Sequence, residues 1–323
     1  MVYHRDEWVC AYLESMSTSP LKRAKAFGEV KALGYTIVPI DINEAGLSWT
    51  ALPGKRLMPS MTSCKRVGAA AVEEIIANRP FNTIEELLWD DDFNWRLSKF
   101  NKRALEALIK IGAFNSMNII GEDKVFKNYR HMYEVLLGSH EETVTHKRKG
   151  VEVTETVEVD HSALVRRRTR HDPHEGLKNF YALVAKYSDV KEWTSLERAG
   201  NMIDVFGAVD VLSLINPDVL AAFERKGVSS IEDVELGEEK VVWFMTIPQP
   251  VKKGGQPVVG VQCQTKNKRD YVRIFASGPS GKGVRMAVWG MKDLPEPFVL
   301  FVCEVKRDDY GFSTNHHRLK AIS

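Results

Sequence analysis

The apolar positions change period several times along the chain, and each change marks an expected element. Trp8, Val9, Tyr12, Leu13 and Met16 recur at helical spacing near the N-terminus. Ser19-Pro20 offers a cap followed by proline at a first helical position, and the helix it opens should run to about Leu33, where Gly34 stops it. Residues 35–40 read as a short extended segment and 41–54 as a loop rich in turn formers. From 63 to 114 the pattern predicts short amphipathic helices joined by tight turns. Val72, Ile75 and Ile76 form one apolar face of a helix that begins near Ala69. Thr83-Ile84-Glu85-Glu86 fits a capping box. Ala104, Leu105, Leu108 and Ile109 give another inward face, and Gly112 ends that helix. Residues 115–137 read as a further helical region.

The period then shortens to two. Val144, Val151, Val153, Val157 and Val159 alternate with polar residues around Lys149-Gly150, the pattern of an exposed β-hairpin. With the basic run 166–170 and Asp172-Pro173 behind it, 138–174 is expected as an insertion or linker. Helices resume over 175–235, one of them opened by Asn216-Pro217 and closed by Gly227. From Lys240 the chain is a series of short apolar strands separated by glycine turns, five or six in roughly eighty residues, which predicts a small barrel or sandwich.

Composition narrows the chemistry. Hydrophobic residues make up 44% of the 323 and charged residues 27%, ordinary for a globular protein, and the net charge is +2. That excludes a histone-like blanket of positive charge and leaves local basic patches as the places to look for nucleic acid. Cys10, Cys64, Cys263 and Cys303 are scattered, without a C-x-x-C pair, so neither a disulfide framework nor a structural zinc is expected, and a reducing compartment is. The N-terminus is too polar for a signal peptide, and no apolar run reaches membrane-spanning length. A cytoplasmic or nucleoid-associated protein without a membrane partner is the expectation.

Two clusters suit DNA. Gly68 stands just before a helix start, where free N–H groups attract an anion, and Lys65, Arg66, Val67 and Ala69 flank it. Lys99, Asn101, Lys102 and Arg103 cluster at the start of a second helix, where lysines oppose the dipole unless an external anion is present. Such a site grips phosphates and reads no sequence. A glycine before an amphipathic helix is also common in proteins that touch no DNA, so spacing alone leaves both readings open.

Several blocks in order resemble a known family. The stretches VYHRDEWVCAYLESM, GYTIVPIDINEAG, KRVGAAAVEEIIANRPFNTIEELL, FNKRALEALIKIGAF and VLSLINPDVLAAFERKGVSSIEDVE, and the strands after Lys240, are similar to the C-terminal half of the DNA polymerase III alpha subunit, the C-family replicative polymerase. Two departures stand out: Arg66 replaces the first glycine of Gly-Val-Gly, and Pro39-Ile40 replaces Pro-Pro. The resemblance implies an α+β multidomain chain. Its parts would be a fingers-derived helical segment (1–58), a helix-hairpin-helix region (59–137), the hairpin insertion (138–174), a helical connector (175–239) and a C-terminal OB-fold barrel (240–323). In an OB-fold, aromatics stack bases within a basic groove. The candidates are Tyr271, Phe275 and Trp289, with Lys266, Lys268, Arg269 and Arg273 beside them. Alternation sets Tyr271, Arg273 and Phe275 on one strand face; in a small barrel such aromatics are often core instead.

The family's palm carboxylates lie upstream of everything seen here, so the expected chain has no catalytic residues of its own and binds no cofactor, magnesium belonging on the missing palm. A split polymerase gene, as phages carry, or an excised fragment is implied. The implied partners are duplex and single-stranded DNA and a polypeptide bearing the palm and phosphoesterase-like domain. A sliding clamp is a further implied partner, although no Gln-x-x-Leu-Phe type peptide is evident. The alternative is a stand-alone DNA-binding module for repair, recombination or single-strand protection. A third reading keeps the fold as a structural protein without DNA contact. Of the remaining candidates, Arg166–Arg170 reads as a solvated or disordered run, Asp90-Asp91-Asp92 as a surface loop, and His316-His317 as strand neighbours pointing to opposite faces.

Overall fold

Elements form where the periodicity changes, in a computed structural model that describes residues 4–16, 20–96, 98–148, 151–207, 211–250, 257–265, 270–279 and 283–322. In chain order they begin with α1 (Arg5–Met16), α2 (Pro20–Ala32), β1 (Thr36–Ile37), β2 (Thr50–Leu52), β3 (Arg56–Met58), α3 (Ala69–Asn78), α4 (Ile84–Leu88) and α5 (Lys102–Lys110). Next come α6 (Tyr129–Leu137), β4 (Ser139–Arg148), β5 (Val151–Asp160), α7 (His161–Val165), α8 (Glu175–Lys186), α9 (Ser195–Phe206) and α10 (Pro217–Arg225). The remaining strands are β6 (Ser229–Ser230), β7 (Glu239–Thr246), β8 (Gln249–Pro250), β9 (Pro257–Val258), β10 (Gly260–Gln264), β11 (Asp270–Ser277), β12 (Gly283–Trp289), β13 (Leu300–Asp308), β14 (Gly311–Asn315) and β15 (Lys320–Ile322). The chain is a mixed α and β protein that divides into two compact units, Ile37–Thr194 and the pair of segments Met1–Thr36 and Ser195–Ser323.

Within Ile37–Thr194, the inward faces of α3, α4 and α5 supply a core of Val72, Ile75, Ile84, Leu87, Leu105 and Leu108, closed by Phe81, Phe100 and Phe114. The segment expected as a loop does more than turn. It carries β2, paired with β3, and a short polar strap. The buried Asp41 carboxylate accepts from the Ser116 N–H (2.9 Å) and hydroxyl (2.6 Å). Asn43 and Phe81 exchange hydrogen bonds in both directions at 2.9 Å, and the Ile42 N–H donates to the Ala113 carbonyl at 2.8 Å. A single three-residue stretch therefore ties down the chain after both helical hairpins. The helical region expected over 115–137 is a 3-10 turn at Asn115–Met117 and then α6 only from Tyr129, capped by Asn128. β4 and β5 form the expected hairpin in a register running from Ser139↔Asp160 to Arg148↔Val151; its tip, Lys149-Gly150, lies outside the described residues.

The basic run after the hairpin is tied to neighbours rather than solvated throughout. The Arg166 guanidinium sits 4.2 Å from the Trp95 ring centroid, Arg167 pairs with Glu175 at 3.0 Å, and Arg168 donates to the Asn94 side chain. An aromatic face and a helix-start carboxylate compete with water for these cations, which charge counting along the sequence does not anticipate.

The other unit is built on a sheet whose pairing returns on itself. β7 pairs β13, β13 pairs β14, β14 runs parallel to β12, β12 pairs β11, and β11 pairs back to β7 at Ala276↔Thr246 and Ser277↔Met245. Alternation explains its two cores. Val242 and Phe244 of β7 point one way with Val272, Ile274, Met286, Val288, Phe301 and Val305. Trp243 and Met245 point the other way, against Ala199 and Ile203 of α9 and Phe223 of α10. In the N-terminal segment of the same unit, α1 buries Val9 and Leu13, and Arg23 of α2 lies 4.9 Å from the Phe206 ring. His316 and His317, expected on a strand, form a 3-10 turn instead, an interruption between β14 and β15, which pair successive stretches of β13 in the same direction.

Candidate nucleic-acid interface

The two helix starts singled out in the sequence are built differently. α3 begins at Ala69 with Gly68 as its N-cap, at φ −85° and ψ 158°, and no side chain accepts from its first turn. The N–H groups of Ala69 and Ala70 have no acceptor inside the helix by position. Lys65, Gly68, Ala69 and Ala70 are exposed, whereas Val67 is buried and pins the turn from below. The left-handed position of the turn is Arg66, at φ +73°, where a glycine would sit without strain. Its guanidinium lies 3.8 Å from the Glu106 carboxylate, which also holds Lys110 at 2.7 Å. Gly68 itself needs no unusual backbone angle. A Cβ there would meet nothing within 4 Å, so the space in front of this helix start is open.

At α5 the equivalent space is filled from within. Asn101 caps the helix, its side-chain oxygen accepting from the N–H groups of Arg103 (3.0 Å) and Ala104 (3.1 Å). Just upstream, the Glu74 carboxylate of α3 accepts from the N–H groups of Ser98 (2.9 Å), Lys99 (2.7 Å) and Phe100 (2.9 Å), and from the Ser98 hydroxyl (3.1 Å). Partial burial pushes the Glu74 pKa up, but hydrogen bonds from Phe100, Lys99 and Ser98 outweigh it and hold the carboxyl below its ordinary range. Lys102 is engaged with the two Asp160 oxygens at 3.0 and 2.8 Å. Lys99 and Arg103 remain exposed at the surface. The sequence marked the cations here and missed the anion: Glu74 lies 24 to 26 residues before its partners, and nothing local announces it.

On the sheet unit, Tyr271 and Trp289 are directly opposite in register, with ring centroids 4.7 Å apart. The Arg273 guanidinium donates to the Tyr271 hydroxyl at 2.9 Å and lies 5.7 Å from its ring. All three are partly exposed. Phe275, on the same strand face, is 4% exposed and packs in the core beneath α9 and α10, so its ring offers no face to a base in this arrangement. The helices cover one end of β11 and leave the other uncovered. Lys266, Lys268 and Arg269 lie outside the described residues.

Among the described residues, no cluster of three or more His, Cys, Asp or Glu could hold a metal ion. Asp90 turns inward on its own loop, accepting from the N–H groups of Asp92 and Asn94. No described helix is long and apolar enough to cross a membrane. The four cysteines are free thiols.

Comparison with known proteins places the matches on the hairpin side of this contrast. Residues 34–122 match the family model of the helix-hairpin-helix motif. The chain is also similar to the DNA polymerase III subunit alpha of several bacteria. It is 33% identical over 114 residues to that of Neisseria meningitidis serogroup B, 30% identical over 115 residues to that of Mycobacterium tuberculosis strain H37Rv, and 29% identical over 134 residues to that of Thermotoga maritima. These matches cover 34%, 34% and 42% of this chain and 10%, 9% and 14% of the relatives. The chain thus spans about a tenth of the length of the polymerase subunits it matches.

Proposed function

We propose, from a helix-hairpin-helix region similar to that of DNA polymerase III alpha subunits, that this chain grips the DNA backbone during replication. The observation that carries the reading is the open, uncapped start of α3 inside the matched region. Two helix-start N–H groups, the exposed Lys65 and the adjoining Arg66 suit a phosphate oxygen, while the missing Cβ at Gly68 lets the strand approach closely. Contacts of this kind fix position on the duplex and carry no sequence information. Lys99 and Arg103 supplement the grip as surface charges, since the N–H groups beside them are already occupied.

The sheet unit is proposed as an OB-type barrel that holds single-stranded template. Its support is the cyclic pairing of β7, β11, β12, β14 and β13, with β12 and β14 parallel, together with the Tyr271–Trp289–Arg273 patch at an uncovered strand end. Phosphoryl transfer is assigned to a palm-bearing polypeptide, and contact with a sliding clamp follows from the same context.

Duplex binding measured by fluorescence anisotropy over a salt series tests the reading. Affinity should fall steeply with salt, and replacing Lys65 should lower the log–log slope by about 0.9 if it neutralises one phosphate. Salt-insensitive binding, or none, would remove the proposed grip. Salt-sensitive binding with no palm-bearing partner in a pull-down would instead favour a stand-alone DNA-binding module.

A further inference from the structure

The β4–β5 ribbon has two open edges. Among the described residues each strand pairs only with the other. Residues 141–145 are exposed, Val144 at 37%. One end of the ribbon is fixed. The Ser139 hydroxyl donates to Glu158 at 2.6 Å, Lys102 holds Asp160, and the N–H of the buried His161 donates to the Gly138 carbonyl at 3.0 Å. Beyond that base, the outer edge of β4 presents alternate N–H and C=O groups with no further described strand beside it, the arrangement that templates a further strand.

Charge order separates the two edges. β5 carries Glu152, Glu155, Glu158 and Asp160 and no basic residue. Two copies of β5 set antiparallel about Glu155 would oppose Glu155 to itself and Glu152 to Glu158, which is unfavourable. β4 contains Glu141-Glu142-Thr143-Val144-Thr145-His146-Lys147, acid first and base last, with Val144 at the middle. Outward-facing backbone groups alternate along a strand, so two identical strands pair antiparallel only when the two-fold axis passes through a residue position. With the axis at Val144, position 141 stands opposite 147, 142 opposite 146, 143 opposite 145 and 140 opposite 148. Residues 140–148, nine of the ten in β4, then take part. Moving the axis to Thr143 sets His140 against His146 and Glu142 against Val144. Moving it to Thr145 carries the partner of Glu141 past the end of the strand.

We propose that β4 is a self-pairing edge. Two copies of this chain join β4 to β4 about a two-fold axis at Val144, giving a four-stranded β5–β4–β4–β5 sheet whose acidic outer edges resist further addition. The occupant is a second copy because only the same strand, reversed, sets acid opposite base on both sides of the axis. A two-fold contact of this kind closes on itself.

Sedimentation velocity of the full chain over a concentration series should show a monomer–dimer equilibrium that weakens with salt. Glu141→Lys should weaken the dimer about tenfold, because the two-fold axis counts each substitution twice. Lys147→Glu should do the same, and the double variant should restore association by exchanging the partners' charges. Register is read by crosslinking. Val144→Cys should form an intermolecular disulfide on mild oxidation, directly opposed strand residues lying about 4.5–5.5 Å apart, within disulfide reach. Thr143→Cys and Thr145→Cys chains should crosslink when mixed and not separately, with the wild-type thiols as the blank. A monomer at every soluble concentration overturns the proposal. So does a dimer that tolerates Glu141→Lys and forms none of these crosslinks, since its interface would then lie elsewhere.

Discussion

The starts of α3 and α5 present the same problem and two solutions. Both leave helix N–H groups that need an acceptor, and both stand beside basic residues. At α5 the chain supplies its own acceptors, with Asn101 as cap and Glu74 spanning three N–H groups one turn earlier. At α3 it supplies none, and the residue that would have carried a cap is a glycine with open space in front of it. Lysines near a helix start are therefore a poor guide on their own. What separates the two helix starts is whether an internal acceptor already sits there.

That contrast can be broken at single positions. The largest expected effect is on DNA. Gly68→Asp should lower duplex affinity by about tenfold to a hundredfold, the range of a lost charge-assisted hydrogen bond. The same change should raise thermal stability slightly, by roughly 0.3 kcal/mol, because aspartate caps a helix better than glycine. Opposite signs in anisotropy and denaturation are the signature; a variant that keeps its affinity would place the grip elsewhere. Glu74→Ala should do the reverse. It should cost about 2 kcal/mol in urea unfolding by stranding three N–H groups, with DNA affinity changing little at temperatures where the chain stays folded. Asn101→Ala is the milder form, about 1 kcal/mol.

Acid should reproduce part of the Glu74 effect. Its carboxyl is held below the ordinary glutamate range in the folded chain, so the stabilisation is present above the unfolded value, about pH 4.3, and is lost as pH falls through the folded value. Unfolding midpoints of wild type and Glu74→Gln should therefore converge in acid, with the gap shrinking only below about pH 4.5. The smallest effect concerns Arg66. Arg66→Gly relieves a left-handed residue but gives up the pair with Glu106, for a net gain of about 0.5 kcal/mol or less.

Much of this was legible because it is local. Helical spacing located α1, α3 and α5; Asn216-Pro217 and Gly227 bounded α10 as expected, and the valine alternation located the β4–β5 hairpin. The resemblance to the polymerase subunit rested on blocks in order, and the family-model match over 34–122 falls on the central ones. What the sequence hid is what depends on distant partners. Glu74 looks like any surface glutamate until the chain after α4 returns over it. Phe275 shares a face of β11 with Tyr271, yet helices cover one and not the other, and a period of two carries no information about where a covering helix stops. Gly68 does stand just before a helix start, as the spacing predicts, but not because the turn needs it. The sharp turn belongs to Arg66, and the glycine matters for the room it leaves.

The Asp41–Asn43 strap has a consequence for how the hairpin region opens. Its hydrogen bonds run to Phe81, which follows α3, and to Ala113 and Ser116, which follow α5, so neither hairpin can leave the core without releasing it. The two should then behave as one cooperative unit in native-state hydrogen exchange, the amides of α3 and α5 sharing a common opening free energy. Asp41→Ala should split that unit and let the hairpins exchange independently.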